Sequence, residues 1–376
     1  MDVDAKGIRQ EEGRDAGVRR PNAAAASDVP KVGWWPYSYD ASFASVRIRC
    51  LHPLAQLRRN GYPVEFFNPK NASSYDAVLF SEHLSQKSLH AAQELRQSGV
   101  RIIFDLCDNH FHNPMKKLKR QEKADRLRQF IEMADKVVVS TEALTEVVLA
   151  EAKPSAPVSI IGDAVEQDIE KVTVPLWRSW VGSMKAQRWT RRLRAQRRQG
   201  RRAVVWFGNG GSTYTGGIRD IAKIRAALEA VNREIPLSLS VVSNRRDVYR
   251  EVVNGWSVPT QYVEWDLKSS ARIIAEHDVA VIPVVSNPYT VCKTNNRLVF
   301  ALHLGLPVVA DPIPSYQAFS EACVLGDWET GLRRYLSDSS LRQRHLTAAR
   351  AIIDRDWTIE TIAAQWATVF DSTLQR

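Results

Sequence analysis

Lys293-Thr294-Asn295-Asn296-Arg297 gathers two cations and three hydroxyl or amide side chains into five consecutive residues. They open a predicted helix, Asn295 to Leu304, which Gly305 ends. A helix N-terminus attracts anions through its unpaired N–H groups and its dipole. Lys293, Asn296 and Arg297 at that end strengthen the attraction, and a diphosphate is the ligand such a cluster suits. Three further candidates follow apolar runs. Gly208-Asn209-Gly210-Gly211-Ser212 comes after Ala203 to Phe207, and its glycines allow a phosphate to approach backbone N–H groups; the bland alternative is a strand-to-helix turn. Asn244 and Arg245 follow Leu237 to Val242. A guanidinium reads phosphate with two donors, although a solvated loop charge accounts for it equally. Trp265 ends the run from Gln261, where an indole either stacks on a base or packs in a core.

A second kind of chemistry sits nearer the start. Val100 to Leu106 runs into Cys107-Asp108-Asn109-His110-Phe111-His112, with Asp105 at the end of the run. Histidine titrates near neutrality, and a carboxylate beside it can orient the ring or share a proton. Asp108 and His110 are the candidate catalytic pair, with Asn109 beside them on the acceptor side. A loop of buried polar groups is the alternative. The Cys/Asp/His spacing does not favour a metal, and no metal site is expected. Arg47 and Arg49, at the entrance to the first predicted helix, are candidates to reach an acceptor phosphate or a diphosphate across a cleft.

These residues need a scaffold, and the apolar pattern supplies it. Short strand-like runs alternate with helical ones between Arg47 and Ile161: strands at Val64–Phe67, Asp76–Phe80, Val100–Leu106, Lys136–Ser140 and Val158–Ile161, helices at Arg47–Asn60, Leu89–Gln97 and 115–134. The same grammar restarts at Arg202, with strands at Ala203–Phe207, Leu237–Val242, Gln261–Trp265, Val279–Pro283 and Pro307–Ala310 and helices at Asp220–Asn232, Ala271–Glu276 and Asn295–Leu304. Such alternation predicts an α/β protein with two Rossmann-like, doubly wound parallel sheets. The expected divisions are a disordered tail over 1–28, a first sheet domain over 29–170, a basic Trp-rich linker helix over 171–202, a second sheet domain over 203–355 and a C-terminal helix over 356–376. Thr358 caps that last helix. In open α/β sheets ligands bind beyond the carboxyl ends of the strands, and every candidate above except Arg47 and Arg49 ends or follows a strand.

Composition narrows the class. The chain has 376 residues, enough for two domains, and a net charge of +10, which points to an anionic partner. Its four cysteines, Cys50, Cys107, Cys292 and Cys323, lie far apart; reduced thiols fit better than disulfides or a zinc site. The charged N-terminus lacks a signal-peptide pattern, and no apolar run approaches membrane-spanning length. A cytoplasmic protein is expected. From Lys171 to Arg219 there are twelve Lys or Arg and no acidic residue, with Trp177, Trp180, Val181 and Met184 at helical spacing. That segment reads as a helix packed between domains, as one lying on an anionic membrane face through 177–202, or, less readily, as a nucleic-acid contact.

The run from strand to helix followed by Gly305-Leu306-Pro307-Val308-Val309-Ala310 resembles the donor-site motif of GT-B-fold glycosyltransferases, particularly glycosyltransferase family 4. Asp356-Trp357-Thr358-Ile359 and the helix after it are similar to that family's final element, which crosses back to the first domain. The likeness covers about 200–372 by motif and 32–170 by architecture. It implies two domains facing a cleft, a nucleotide sugar held mainly by the second, and a saccharide or lipid-linked acceptor on the first, in cell-surface polysaccharide or glycoconjugate synthesis at the inner face of a membrane. No cofactor beyond the nucleotide-sugar substrate is implied. The sequence departs from the family in one respect: Cys292 and Phe300 stand where two glutamates are usual. A non-catalytic nucleotide or nucleic-acid binder and a sugar-nucleotide epimerase are the other readings of the same fold.

Overall fold

The computed structural model describes residues 30–166, 176–211 and 216–375, with backbone alone for 176–179. The expected tail over 1–28, and Ser212 in the glycine loop, lie outside the described residues. Two six-stranded parallel sheets carry the molecule. The first holds β1 (Val32–Pro36), β2 (Val64–Phe66), β3 (Ala77–Ser81), β4 (Arg101–Leu106), β5 (Lys136–Val139) and β6 (Val158–Ile160), in the order β2-β1-β3-β4-β5-β6. The second holds β7 (Arg202–Phe207), β8 (Leu237–Ser243), β9 (Thr260–Glu264), β10 (Val279–Ile282), β11 (Val308–Ala310) and β12 (Val324–Leu325), in the order β12-β11-β10-β7-β8-β9.

Both sheets are buried on both faces, which is why their strands read as continuous apolar runs. Side chains alternate between two cores. Val78, Phe80, Ile102, Phe104, Val137 and Val139 enter one core of the first sheet, and Ala77, Leu79, Ile103 and Val138 enter the other. Val204 and Trp206 likewise part from Val205 and Phe207 in the second sheet.

The strand orders locate the crevices. In the first sheet, successive strands turn to opposite sides of β1, so the switch point lies between β1 and β3. In the second it lies between β7 and β10. Ligand crevices of doubly wound sheets open at such points, beyond the carboxyl ends. The Gly208 loop follows β7, and the segment holding Lys293 and Arg297 follows β10.

The chain leaves the first domain after β6 and returns to it at Trp357. The two crossings touch: Val165 N–H donates to the Trp357 carbonyl at 2.7 Å. Gly162 permits this approach, since a Cβ there would fall 2.5 Å from the Trp357 ring. The helix Ile359–Leu374, capped by Thr358, then packs on the first domain, with Trp366 4.9 Å from Trp34 and Tyr62 Oη donating to Asp371 at 2.7 Å. Two elements differ from their sequence reading. The expected helix from Arg47 contains a π turn over Arg47–Leu51, where every residue from Val46 to Cys50 is buried. The expected helix from Asp220 begins as a 3₁₀ turn, Ile218–Ile224, before Arg225–Glu234. The helices Arg246–Val252, Trp328–Ser337 and Ser339–Asp356 had no place in the sequence reading.

Candidate functional site

At the mouth of the second sheet, the glycines are required by close packing. A Cβ on Gly211 (φ +67°) would fall 1.6 Å from the Gly216 carbonyl oxygen, and one on Gly210 would fall 2.2 Å from Arg245 Cγ. Their N–H groups are already engaged. Gly208 donates to the Val242 carbonyl at 3.1 Å, Gly210 to Asn244 Oδ1 at 3.0 Å and Gly211 to Asn209 Oδ1 at 3.2 Å. The expectation that these groups point at a phosphate is therefore corrected: those of Gly208 and Gly210 hold the loop to the end of β8, with Asn244 as an anchor, and that of Gly211 closes on Asn209 within the loop. Arg245 is also reassigned. It is exposed and grips Asp247 with two donors, at 2.9 and 2.6 Å. Trp265 lies half-buried against the core of its own domain, with the Arg47 guanidinium of the first domain 5.9 Å from its ring.

Arg297 occupies the switch point itself. Its Nη1 lies 3.3 Å from where a Gly208 Cβ would stand, and its charge opposes the rise that burial imposes on the pKa of Tyr316. Among the described residues no carboxylate lies within ion-pair distance of it. Asp220 is near enough to feel its charge, yet burial still raises the Asp220 pKa. Arg297 and half-buried Asn296 form the first turn of the helix Asn296–His303. Its N-cap, Asn295, is buried, with an Nδ2 that has no hydrogen-bond partner among the described residues.

Lys293 turns the other way. Its Nζ lies 2.6 Å from Asp108 Oδ1, and Tyr289 Oη donates to Asp108 Oδ2 at 2.8 Å. The ammonium also lies 3.1 Å from Tyr289 Oη and 4.4 Å from that ring's centre. Burial works against the Lys293 charge, but Asp108 and Tyr289 outweigh it and raise the pKa. This corrects two expectations at once. The Lys293 charge is matched by a carboxylate of the first domain, and both Asp108 oxygens accept hydrogen bonds from the second domain rather than standing free beside His110. The surrounding segment pegs the domains together. Asn109 Nδ2 donates to the Pro288 carbonyl at 2.8 Å, and Thr141 Oγ1 to the Cys292 carbonyl at 3.1 Å. Cys292 packs into a core of the first domain, and burial pushes its thiol up to about 11.

At the mouth of the first sheet, His110 Nε2 bonds the Glu82 carboxylate, and Lys123 Nζ lies 3.2 Å from the same ring nitrogen. The other Glu82 oxygen accepts from the N–H groups of Cys107 (2.6 Å) and Asp108 (3.2 Å). Burial raises the Glu82 pKa, but His110, Lys123 and the Cys107 N–H together outweigh it and hold it at about 2. Glu82 adopts φ +56°, a conformation uncommon outside glycine that the surrounding bonds must enforce. Arg49 is only 2% exposed. It meets Asp105 through Nε (2.9 Å) and Nη2 (2.6 Å), and the Ile161 carbonyl and Asp163 through Nη1 (2.7 and 3.3 Å). Arg47 is equally buried, paired to Glu166. Neither is free to meet an acceptor: both clamp the outgoing chain, 161–166, to the first domain. Glu82, Lys123 and Tyr289 escaped the sequence reading. No spacing announces them, because each acquires its partner through the fold.

Comparisons with known proteins fit this architecture. No protein-family model matches the chain, and no characterised protein matches it by sequence. In structure it is similar to sucrose-phosphate synthase from Thermosynechococcus elongatus (TM-score 0.61, 15% identity, 92% of this chain and 99% of that one). It is also similar to WaaG, a glycosyltransferase involved in lipopolysaccharide biosynthesis (0.57, 13%, 90% and 99%). A third likeness is to an E. coli trehalose-6-phosphate protein bound with UDP-2-fluoro glucose (0.52, 14%, 87% and 82%). At these identities the likeness is one of fold, two Rossmann-like domains in the GT-B arrangement.

Proposed function

We propose that this chain is a glycosyltransferase. The donor would be a nucleotide sugar whose diphosphate lies between the Gly208 loop and the first turn of Asn296–His303. The acceptor, a saccharide either free or lipid-linked, would enter beside Asp108 and His110. The observation that carries this reading is Arg297, set at the β7/β10 switch point with no carboxylate partner among the described residues. A dianionic ligand would complete it, and the helix N-terminus would add to the field. In the reaction the acceptor oxygen bonds to the anomeric carbon and the bond from that carbon to phosphate breaks. Arg297 and the helix turn then stabilise the departing nucleoside diphosphate, a task that needs no metal ion. His110, with its ring fixed by Glu82, would receive or orient the acceptor proton. Assembly of cell-surface polysaccharide or glycoconjugate is the setting that suits such a pair of substrates. A UDP-sugar is the first donor to try, because one similar fold was solved with a UDP-glucose analogue.

A thermal-shift screen across nucleoside diphosphates, followed by nucleotide-sugar turnover, tests the proposal. Stabilisation by one diphosphate and slow release of it from the matching sugar nucleotide are expected. Binding without release, even with acceptors added, would make the chain a nucleotide-binding protein. Conversion of the sugar nucleotide without any acceptor would make it an epimerase.

A further inference from the structure

The helix Leu176–Arg198 takes no part in either mouth. Its inner face packs on the second domain, with Ala186 and Leu193 buried and Trp189 against the core. Two contacts fix its direction. Gly182 lies against the loop that follows β9, where a Cβ would come 3.0 Å from Lys268 Cβ and 3.3 Å from Asp266 Oδ1. Arg197 reaches the Glu276 carbonyl at 2.6 Å and Asp278 at 3.3 Å, in the turn before β10. The N-terminal half therefore lies at the cleft end of the sheet, beside Trp265, and the C-terminal half at the opposite end.

The outer face is sorted along its length rather than around it. Near the cleft it exposes Trp180 (67%), Met184 (52%) and Val181 (49%). Beyond them Arg188, Arg191, Arg192, Arg194 and Arg198 are all exposed. No Asp or Glu occurs between Leu176 and Arg198. Among the described residues none of these five arginines lies within ion-pair distance of a carboxylate; Arg192 sits 5.2 Å from the Trp189 ring. A helix that only linked and packed would turn its large apolar side chains inward. Exposed Trp, Val and Met beside unmatched cations suit a partner that is apolar beneath an anionic boundary, and anionic lipid has that profile. Nucleic acid would use the arginines and offer nothing to Val181 or Met184.

We propose that this face docks on an anionic lipid bilayer. Trp180, Val181 and Met184 enter at headgroup depth, the arginines meet lipid phosphates, and the cleft end of the second sheet is held at the lipid surface. This deepens the proposed transferase by placing a lipid-linked acceptor within reach. It is tested by binding alone, so loss of either proposal leaves the other standing.

The experiment is flotation of the full chain with phosphatidylcholine vesicles containing about one-third phosphatidylglycerol, against pure phosphatidylcholine. Partition should require the anionic lipid and weaken as salt rises. Trp180→Ala with Met184→Ala should reduce it about 10-fold. Arg188→Glu, Arg191→Glu and Arg198→Glu together should reduce it about 100-fold or more, with the circular dichroism spectrum unchanged. The same three-charge reversal at exposed Arg58, Arg233 and Arg344 should leave most binding intact. The proposal is overturned if wild type does not float, if the helix reversal floats like wild type, or if the distant reversal does equal damage. It is overturned in favour of nucleic acid if single-stranded RNA binds more tightly than the vesicles and the Trp180/Met184 changes are silent.

Discussion

At the mouth of the first sheet both arginines are matched by carboxylates of their own domain; at the mouth of the second, Arg297 has no such match among the described residues. Arg49 has Asp105 and Asp163, and Arg47 has Glu166. Burying a guanidinium is tolerable only when its donors are satisfied, and these two are satisfied before any ligand arrives. Arg297 is half-buried beside Tyr316, with no carboxylate within ion-pair distance among the described residues. Residue type alone made all three look like ligand contacts. The supply of acidic partners separates them: the first pair holds the chain crossing, and Arg297 is the residue on which the proposed anion site rests.

The largest effect should come from breaking the matched side. Asp105→Ala strands a buried guanidinium, and the first domain should lose about 3–5 kcal/mol of stability, read by urea unfolding. An unchanged midpoint would mean that Arg49 is not structural and would erase the contrast. On the unmatched side, Arg297→Ala should leave that midpoint nearly unchanged. Nucleoside diphosphate affinity should fall about 10–100-fold by calorimetry, the loss of a charge-assisted contact. Unchanged affinity would move the donor site elsewhere.

The acids at the two mouths sharpen the comparison through pH. Glu82 has a folded pKa of about 2, below its ordinary 4.5. Its ionised form therefore stabilises the fold above about pH 4.5, and the contribution fades as pH falls through about 2. Glu82→Gln should cost on the order of 3 kcal/mol near neutrality, a deficit that shrinks in acid. Asp220 is shifted the opposite way, since burial raises its pKa above 3.8. Its stabilising form is the protonated one, present below 3.8 and lost as pH rises through the folded value. Asp220→Asn should therefore be neutral or stabilising at neutral pH. Urea midpoints of the two variants, each compared with wild type, should differ most at pH 7 and converge as pH falls toward about 3; curves that stay parallel would remove the distinction.

Legibility in the sequence followed the range of the interaction. The helix Ile359–Leu374 was readable to the residue, because its Thr358 cap and its apolar period are both local. Ten of the twelve strands were readable because parallel sheets bury both faces; β1, with its two tryptophans, and the two-residue β12 were not. The π turn at Arg47–Leu51 was not, since nothing in five consecutive side chains distinguishes it from an α turn. The site divided in the same way. Arg297 and the Gly208 loop were found from strand-to-helix grammar, and topology then brought them to one switch point. The Lys293–Asp108 pair spans 185 residues, and Glu82 reaches His110 from a strand end with φ +56°. Each of these residues was assigned, or passed over, as if alone, because a partner so distant in the chain leaves no local mark.

Lys293 is the residue on which the comparison is most finely balanced, because it belongs to the second mouth by sequence and to the first by contact. Its pair with Asp108 is partly exposed, 34% and 27% at the two side chains, so solvent screens it. A double-mutant cycle of Lys293→Ala and Asp108→Ala should give a coupling of about 0.5–1 kcal/mol in stability, the smallest of these effects. Its ligand arm discriminates more sharply. If Lys293 stays on Asp108 when nucleotide binds, Lys293→Ala should weaken diphosphate affinity by less than Arg297→Ala does, and Asp108→Ala should strengthen it by releasing the ammonium. If Lys293→Ala costs as much as Arg297→Ala, the ion pair opens on binding. The bridge between the domains would then be a cation lent to the first mouth until the donor arrives, and matched and unmatched charge would be two states of one site.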